Sequence, residues 1–300
     1  MLILIAGITG FVGLPCAEAA LERGHTVRGL SRSPEKVPED LRRRLEGFEA
    51  IEDMYDIAAL DRAVAGVDAI ICAYSCIPES ILEGQLLLLR AAERAGVKNF
   101  HASTWNYDWT LGYLGQHEIY DAFISFCAHV RLSSTIKPLY MFTGAIVEWI
   151  FCRSAQDWDS TTKTLFYCGD SNATIRYTTA RDLAAYTVEA VTSPEASKGG
   201  FVRVQSFEAS PTDVVEAYNA ARAGQAVAHA KCLGTLEDAA TRLAEGRANT
   251  DPTEFMKFTW DGYAALIGRG VWDYEPQDCA RFPNVKQTSL KEWFQGHADV

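Results

Sequence analysis

Three glycines in Gly7-Ile-Thr-Gly10-Phe-Val-Gly13 follow an apolar run, Leu2–Ala6, and precede an amphipathic segment. This spacing suits phosphate binding. Glycine at 7 lets the chain turn sharply off a strand, at 10 lets the backbone approach a pyrophosphate, and at 13 lets a helix pack closely on a sheet. The helix N–H groups and positive dipole end then face the phosphates. The pattern is GxxGxxG rather than GxGxxG, and its context makes it a dinucleotide pattern. A strand precedes it, a helix from about Phe11 to Arg23 follows, and a second strand, His25 to Ser31, completes a βαβ unit. That strand runs into Arg32-Ser-Pro-Glu-Lys36. A carboxylate there would hold ribose hydroxyls, whereas cations there hold a 2′-phosphate, so Arg32 and Lys36 favour NADP(H) over NAD(H).

Acid/base chemistry has two candidate clusters. Tyr120 and His117 lie one helical turn apart and share a face, with Asp121 four residues after His117. A histidine with a carboxylate partner suits proton transfer, although the same trio also reads as an ordinary helix-surface cluster. The second is Ser103-Thr-Trp-Asn-Tyr-Asp-Trp109, a loop after a strand. Tyr107 and Asp108 offer an alternative donor and base there, and Trp105 either stacks on a planar ligand or anchors the loop.

The elements that must position these residues alternate along the first half. Strands are predicted at Phe48 to Glu52, Asp68 to Tyr74, Val97 to Ser103 and Pro138 to Thr143. Helices are predicted at Ile57 to Ala65, Ile81 to Ala95 with Gly96 as the stop, His117 to His129 and Ala180 to Val191. The continuous apolar run at 68–74 reads as a strand buried on both faces. The alternation predicts an α/β fold, a doubly wound parallel sheet of Rossmann type whose ligand lies across the carboxyl ends of its strands. Residues 1–145, completed by segments near 180–205, form the expected nucleotide domain, and 146–300 a mostly helical substrate lobe. Helices are predicted there at Pro211 to Ala223, Thr235 to Gly246, Thr253 to Gly268 and Ser289 to His297. Trp260, Tyr263, Trp272, Tyr274 and Trp293 fall in that lobe, where they line an apolar substrate pocket or serve as core.

Composition limits the partners. With 48% hydrophobic and 22% charged residues the chain has the make-up of a soluble globular protein. A net charge of −11 argues against nucleic acid or an anionic membrane as partner. The densest basic run, Arg42-Arg43-Arg44, is flanked by Glu39, Asp40 and Glu46 and reads as a solvated helix face. The eight cysteines contain no CxxC pair and read as small core residues in a reducing compartment, with no metal site. A strand starting at residue 2 leaves no room for a leader, and no apolar run is long enough to span a membrane, so a cytoplasmic location is expected. A small-molecule substrate is the expected partner, and a homodimer is allowed.

Taken in succession, Gly7-Ile-Thr-Gly-Phe-Val-Gly13, Arg32-Ser-Pro-Glu-Lys36, Asp53-Met-Tyr-Asp56, Ala65-Gly-Val-Asp-Ala-Ile-Ile71 and Ala95-Gly-Val-Lys-Asn-Phe100 with Ser103 resemble one family. It is the NmrA-like and isoflavone-reductase-like branch of the atypical short-chain dehydrogenase/reductases. Tyr167-x-Gly169 and Thr179-Ala-Arg-Asp182-Leu extend the resemblance to about residue 191. It implies that Gly7, Thr9, Gly10, Phe11, Val12 and Gly13 line the pyrophosphate and that Arg32, with Lys36, holds the 2′-phosphate. It also implies that Asp53 sits near the adenine and that Ala73, Tyr74 and Ser75 pass under the nicotinamide ribose. Asp53 reads equally as a turn or cap residue.

The catalytic region departs from that family. Its reductases carry a lysine early in the helix after the fifth strand, some twenty residues beyond the Ser103 position, but this chain has none between Lys98 and Lys137. The wider Tyr-x-x-x-Lys pair is also missing, since Ile124 stands four residues after Tyr120. A lysine there lowers a pKa and supplies the positive field a developing alkoxide needs. Three functions remain open. The first is an NADP(H)-dependent oxidoreductase acting on a small apolar, aromatic or polyketide-like compound, with Tyr120, Tyr107 or His117 as proton donor. The others are a non-redox isomerase, dehydratase or cyclase, and a non-catalytic redox sensor that binds a protein partner.

Overall fold

The computed structural model describes residues 1–154, 156–223 and 227–300. Six strands, β1 (Leu2–Ala6), β2 (Thr26–Ser31), β3 (Gly47–Ala50), β4 (Ala69–Cys72), β5 (Asn99–His101) and β6 (Leu139–Phe142), form one sheet with a seventh, Gly200–Arg203. Their order is Gly200–Arg203, β6, β5, β4, β1, β2, β3, and every pairing is parallel. The order reverses between β1 and β4, which opens a crevice at the carboxyl ends of those two strands.

Alternation explains why both faces are buried. Leu4, Ala6, Ile70 and Cys72 point into one core, beneath the Ile57–Val64, Gln85–Ala95 and Glu118–Ser133 helices. Ile3, Ile5, Ala69 and Ile71 point into the other, beneath α1 (Gly13–Glu22) and the Ala180–Thr192 helix. Each of these eight side chains is fully buried, as a parallel sheet with helices on both faces requires.

Helix α1 begins at Gly13 rather than Phe11, because residues 11 and 12 belong to the turn that closes the glycine loop. Strand β5 is shorter than expected, since Ala102 and Ser103 already leave the ladder toward the site. The predicted Thr253 to Gly268 helix is broken. Asp251 caps a 3₁₀ turn over Pro252–Lys257, Glu254 is non-helical, and a separate helix follows at Thr259–Ile267.

Beyond the main sheet, the Pro211–Ala221, Leu236–Asn249, Thr259–Ile267 and Leu290–Gly296 helices dominate. Ser210, Thr235 and Ser289 start three of them with reciprocal capping boxes. Two three-stranded sheets accompany them, one built from Phe207–Ala209, Ile175–Thr178 and Ala145–Ile146, the other from His229–Cys232, Thr164–Tyr167 and Trp158–Asp159. A third core of Val147, Phe151, Trp158, Tyr218, Trp293 and Phe294 lies within this part. Trp272 and Tyr274 join the first core instead, with Tyr263 packed at its margin. No helix among the described residues is long and apolar enough to cross a membrane.

Candidate functional site

The glycine loop sits at the carboxyl end of β1, where each glycine answers to a different contact. Gly7 has φ +80°, and a Cβ there would lie 2.5 Å from the Ala73 carbonyl oxygen, so neither backbone nor space admits another residue. A Cβ on Gly13 would lie 2.2 Å from the Gly7 carbonyl oxygen, which lets the first turn of α1 fold directly over the loop. Gly10 has a contact of its own. Its Cβ would point inward, 3.0 Å from the Gly7 carbonyl oxygen, so glycine here closes the loop. The Gly10 N–H donates to that same carbonyl at 2.8 Å. No side chain caps α1, and the N–H groups of Phe11 and Val12 meet no protein acceptor among the described residues. Thr9 stands half-buried in the same turn. The cradle therefore fits a pyrophosphate.

At the carboxyl end of β2, the Ser33 N–H donates to Ser31 Oγ, and Pro34–Lys36 forms a 3₁₀ turn. Arg32 and Lys36 stand exposed on this turn, and neither pairs with a carboxylate among the described residues. Unneutralised cations at this end suit a 2′-phosphate. Asp53 is exposed and accepts the Tyr55 N–H at 2.7 Å, as a turn-forming residue does.

The carboxyl ends of β4 and β5 are braced together. Ser103 Oγ donates to the Tyr74 carbonyl at 2.7 Å, and the Ser103 N–H donates to Gln85 Oε1 at 2.6 Å. The Ala73 N–H donates to the Ala6 carbonyl, which holds the Ala73–Ser75 segment against the glycine loop. The Tyr74 ring packs between Gly7 and Gly84. Ser75 Oγ lies 2.9 Å from Ser80 Oγ, on the π-helical turn Ser80–Gly84 that leads into Gln85. Gln85 is wholly buried and its Nε2 has no partner among the described residues. A π-turn beside an unpaired buried amide is the local irregularity that marks ligand sites.

Tyr120 is 1% exposed, and burial pushes its phenol well above the ordinary value of 10. Its hydroxyl donates to Asn106 Oδ1 at 2.8 Å, and Asn106 Nδ2 donates to the Tyr263 hydroxyl at 2.9 Å. Asn106 Oδ1 also accepts the Tyr107 N–H at 3.0 Å, which fixes the orientation of the amide. Burial raises the Tyr263 phenol too, opposed by the Asn106 hydrogen bond. Asn106 thus supports the oxygen from which a Tyr263 proton would leave.

His117 packs against this pair. Its ring centroid lies 4.3 Å from that of Tyr263 and 5.0 Å from that of Tyr120, and the side chain is fully buried. Neither ring nitrogen has a hydrogen-bond partner among the described residues, and burial pushes the imidazole down to about 4. The expected pairing with Asp121 is not formed. Asp121, in the first turn of the Glu118–Ser133 helix, turns its carboxylate back to the N–H of Gly115 in the preceding turn at 2.8 Å.

The alternative donor and base are committed elsewhere. Asp108 is 2% exposed at its side chain and accepts from Arg203 Nη2 at 2.6 Å and Nε at 3.0 Å, with Thr110 on its other oxygen. The Tyr107 hydroxyl is buried against the Arg176 carbonyl at 3.4 Å. Trp105 donates from Nε1 to Thr187 Oγ1 at 3.0 Å and stacks on His101, so it anchors the loop. The structure therefore brings Tyr120 and His117 together with Asn106 and Tyr263, and ties Asp108, Tyr107 and Asp121 to the scaffold.

The sequence profile of the NmrA-like family matches residues 1–234. The chain belongs to the NmrA-like family. No curated protein sequence matches it. Among solved structures, isoflavone reductase is similar at 19% identity and a TM-score of 0.74, with 98% of each chain covered. The binary complex of leucoanthocyanidin reductase with NADPH from Vitis vinifera is similar at 18% identity and a TM-score of 0.76, with 99% of each chain covered. An NADPH-dependent quinone oxidoreductase from Escherichia coli is similar at 16% identity and a TM-score of 0.72, again with 99% of each chain covered. At these identities the likeness is one of fold.

In this NmrA-like chain the residues that the structure brings to the candidates Ser103 and Tyr120, and that sequence reasoning did not single out for it, are Gln85, Asn106 and, through Asn106, Tyr263. Tyr263 lies beyond the stretch the family profile covers, 157 residues from the amide that holds it. Asn106 carried one usable signal, its position within the loop after β5, but nothing in the sequence pairs it with a helix so far away.

Proposed function

We propose that this chain is an NADP(H)-dependent reductase acting on a small, apolar, aromatic or polyketide-like compound. The observation that carries the reading is the phosphate cradle. Gly7 and Gly13 stand where no side chain fits, and among the described residues the Phe11 and Val12 N–H groups meet no acceptor and Arg32 and Lys36, at the carboxyl end of β2, pair with no carboxylate. The NADPH named with two of the structural neighbours supports the same cofactor.

NADPH, when bound, supplies a hydride from nicotinamide C4. The chain's own residues must then hold the substrate and deliver a proton. Tyr263 accepts from Asn106 through its oxygen, which leaves its own O–H proton uncommitted among the described residues. Asn106 Nδ2 stabilises the phenolate left behind, and Tyr120 keeps the Asn106 amide in that orientation. His117, Trp272 and the Tyr120 ring exclude water from this end of the site. In this reading the amide-held tyrosine pair does the work of the lysine that the chain lacks between Lys98 and Lys137.

Aromatic ketones, quinones and enones incubated with the protein and NADPH test this, with NADPH consumption and reduced product as readouts. Consumption with any member, lost in Tyr263→Phe, supports the reading. Conversion of a substrate without NADPH consumption overturns it in favour of a non-redox isomerase, dehydratase or cyclase. That second reading is favoured by the absence of any lysine between Lys98 and Lys137.

A further inference from the structure

We infer that Arg153 is a second phosphate-binding cation of the dinucleotide site, directed at the pyrophosphate. This rests on the reading of the glycine loop as an NADP(H) cradle. Arg153 follows the Val147–Cys152 helix, and its guanidinium carbon lies 5.4 Å from the ring centroid of Phe11. Phe11 stands in the middle of the loop, and its N–H meets no protein acceptor among the described residues. On its other side the Phe11 ring meets the edge of Trp149 at 6.0 Å.

Charge makes the placement informative. The chain carries 39 acidic residues against 28 Lys and Arg, and Arg23, Arg28, Arg176, Arg203 and Arg242 each hold a carboxylate. Arg153 is exposed and holds none among the described residues, and its side chain donates no hydrogen bond there. A carboxylate would neutralise the guanidinium. An aromatic face positions it instead and leaves all five N–H donors free for an anion.

The helix that delivers it is tightly anchored. Gly144, at φ +65°, lies so close to strand Ile175–Thr178 that a Cβ would meet the Arg176 carbonyl oxygen at 2.3 Å. Glu148 accepts the Ala180 N–H at 2.7 Å and the Trp293 Nε1–H at 2.9 Å. Arg153 is thus held beside the cradle before any ligand arrives, so less entropy is lost when it binds. Arg32 and Lys36 would hold one end of the dinucleotide, and the N-terminus of α1 and Arg153 together its pyrophosphate.

Calorimetric titration of the full chain with NADP⁺, ADP-ribose and adenosine 2′-phosphate tests this, in wild type, Arg153→Ala, Arg32→Ala and Arg131→Ala. ADP-ribose has the pyrophosphate and no 2′-phosphate, whereas adenosine 2′-phosphate has the reverse. Arg131 is an exposed arginine on the Glu118–Ser133 helix and serves as control. Arg153→Ala is expected to weaken NADP⁺ and ADP-ribose about tenfold or more, the scale of a lost charge-assisted contact, and to leave adenosine 2′-phosphate unchanged. Arg32→Ala should weaken NADP⁺ and adenosine 2′-phosphate and spare ADP-ribose. Wild-type binding that Arg153→Ala leaves intact overturns this inference alone. Absence of NADP⁺ binding by the wild type overturns the dinucleotide reading together with it.

Discussion

Tyr120 and Tyr263 keep their protons across the pH range of ordinary assays, because burial raises both phenols above 10. Tyr263 is therefore available as a donor while Tyr120 keeps its proton on Asn106 Oδ1, and neither should give rise to a neutral-pH limb in a pH–rate profile. Tyr263→Phe removes the uncommitted proton and is expected to slow the chemical step by about 10²-fold or more, with KM little changed. Tyr120→Phe removes only the bond that orients Asn106, so a smaller fall is expected, with a stability loss of about 1 kcal/mol. Steady-state rates and thermal midpoints for the two variants check this ordering. The histidines predict something different, acid sensitivity of the fold. His117 and His101 are fully buried, and burial pushes them down to about 4 and about 3 from an ordinary 6.5. Below pH 6.5 the unfolded chain binds protons that the folded chain refuses, so stability falls as pH drops from about 6.5 toward 4, by about 3 kcal/mol from His117. His117→Asn should flatten the dependence of the thermal midpoint on pH in that window, and an unchanged slope would refute the assignment.

At the scale of elements, the strand, turn and helix around the glycine loop form one unit. Gly13→Ala places a Cβ 2.2 Å from the Gly7 carbonyl oxygen, so the loop or the first turn of α1 must move. Loss of dinucleotide binding is expected, with destabilisation of about 1–3 kcal/mol. Gly24 is an instructive contrast. It has φ +75° but nothing within 4 Å, so Gly24→Ala should cost only about 1–2 kcal/mol of backbone strain and leave binding intact. Binding titrations paired with chemical denaturation separate the two. The Asp108–Arg203 pair ties the loop after β5 to the edge strand, and Asp108→Ala strands a cation beside the Phe142 ring. It should lower stability by about 3 kcal/mol or more.

The molecule as a whole was unevenly legible. Strands β1 and β4 were read from runs of five and more apolar residues, because burial on both faces leaves no polar position to blur the pattern. The Gly200–Arg203 strand and the two small sheets were not read as strands. Their strands run two to four residues, too short for a period to register, and their partners are distant in sequence. The candidate cofactor residues could be picked out for the same reason as the sheet: Gly7, Gly13, Arg32 and Lys36 lie within one local βαβ unit. The Asn106–Tyr263 contact could not, since it spans 157 residues, and the Asp108–Arg203 pair spans 95. Tertiary hydrogen bonds of that separation leave no trace in spacing, so nothing in the sequence showed that Asp108 is paired with Arg203 or that the Tyr107 hydroxyl meets the Arg176 carbonyl. Titration of the wild type with NADPH and with NADH, repeated with Arg32→Ala, decides whether this scaffold is an NADP(H) site. NADPH should bind at least about tenfold more tightly than NADH, and the variant should lose this preference. Equal binding of the two cofactors by the wild type, or binding of neither, would contradict the NADP(H) assignment.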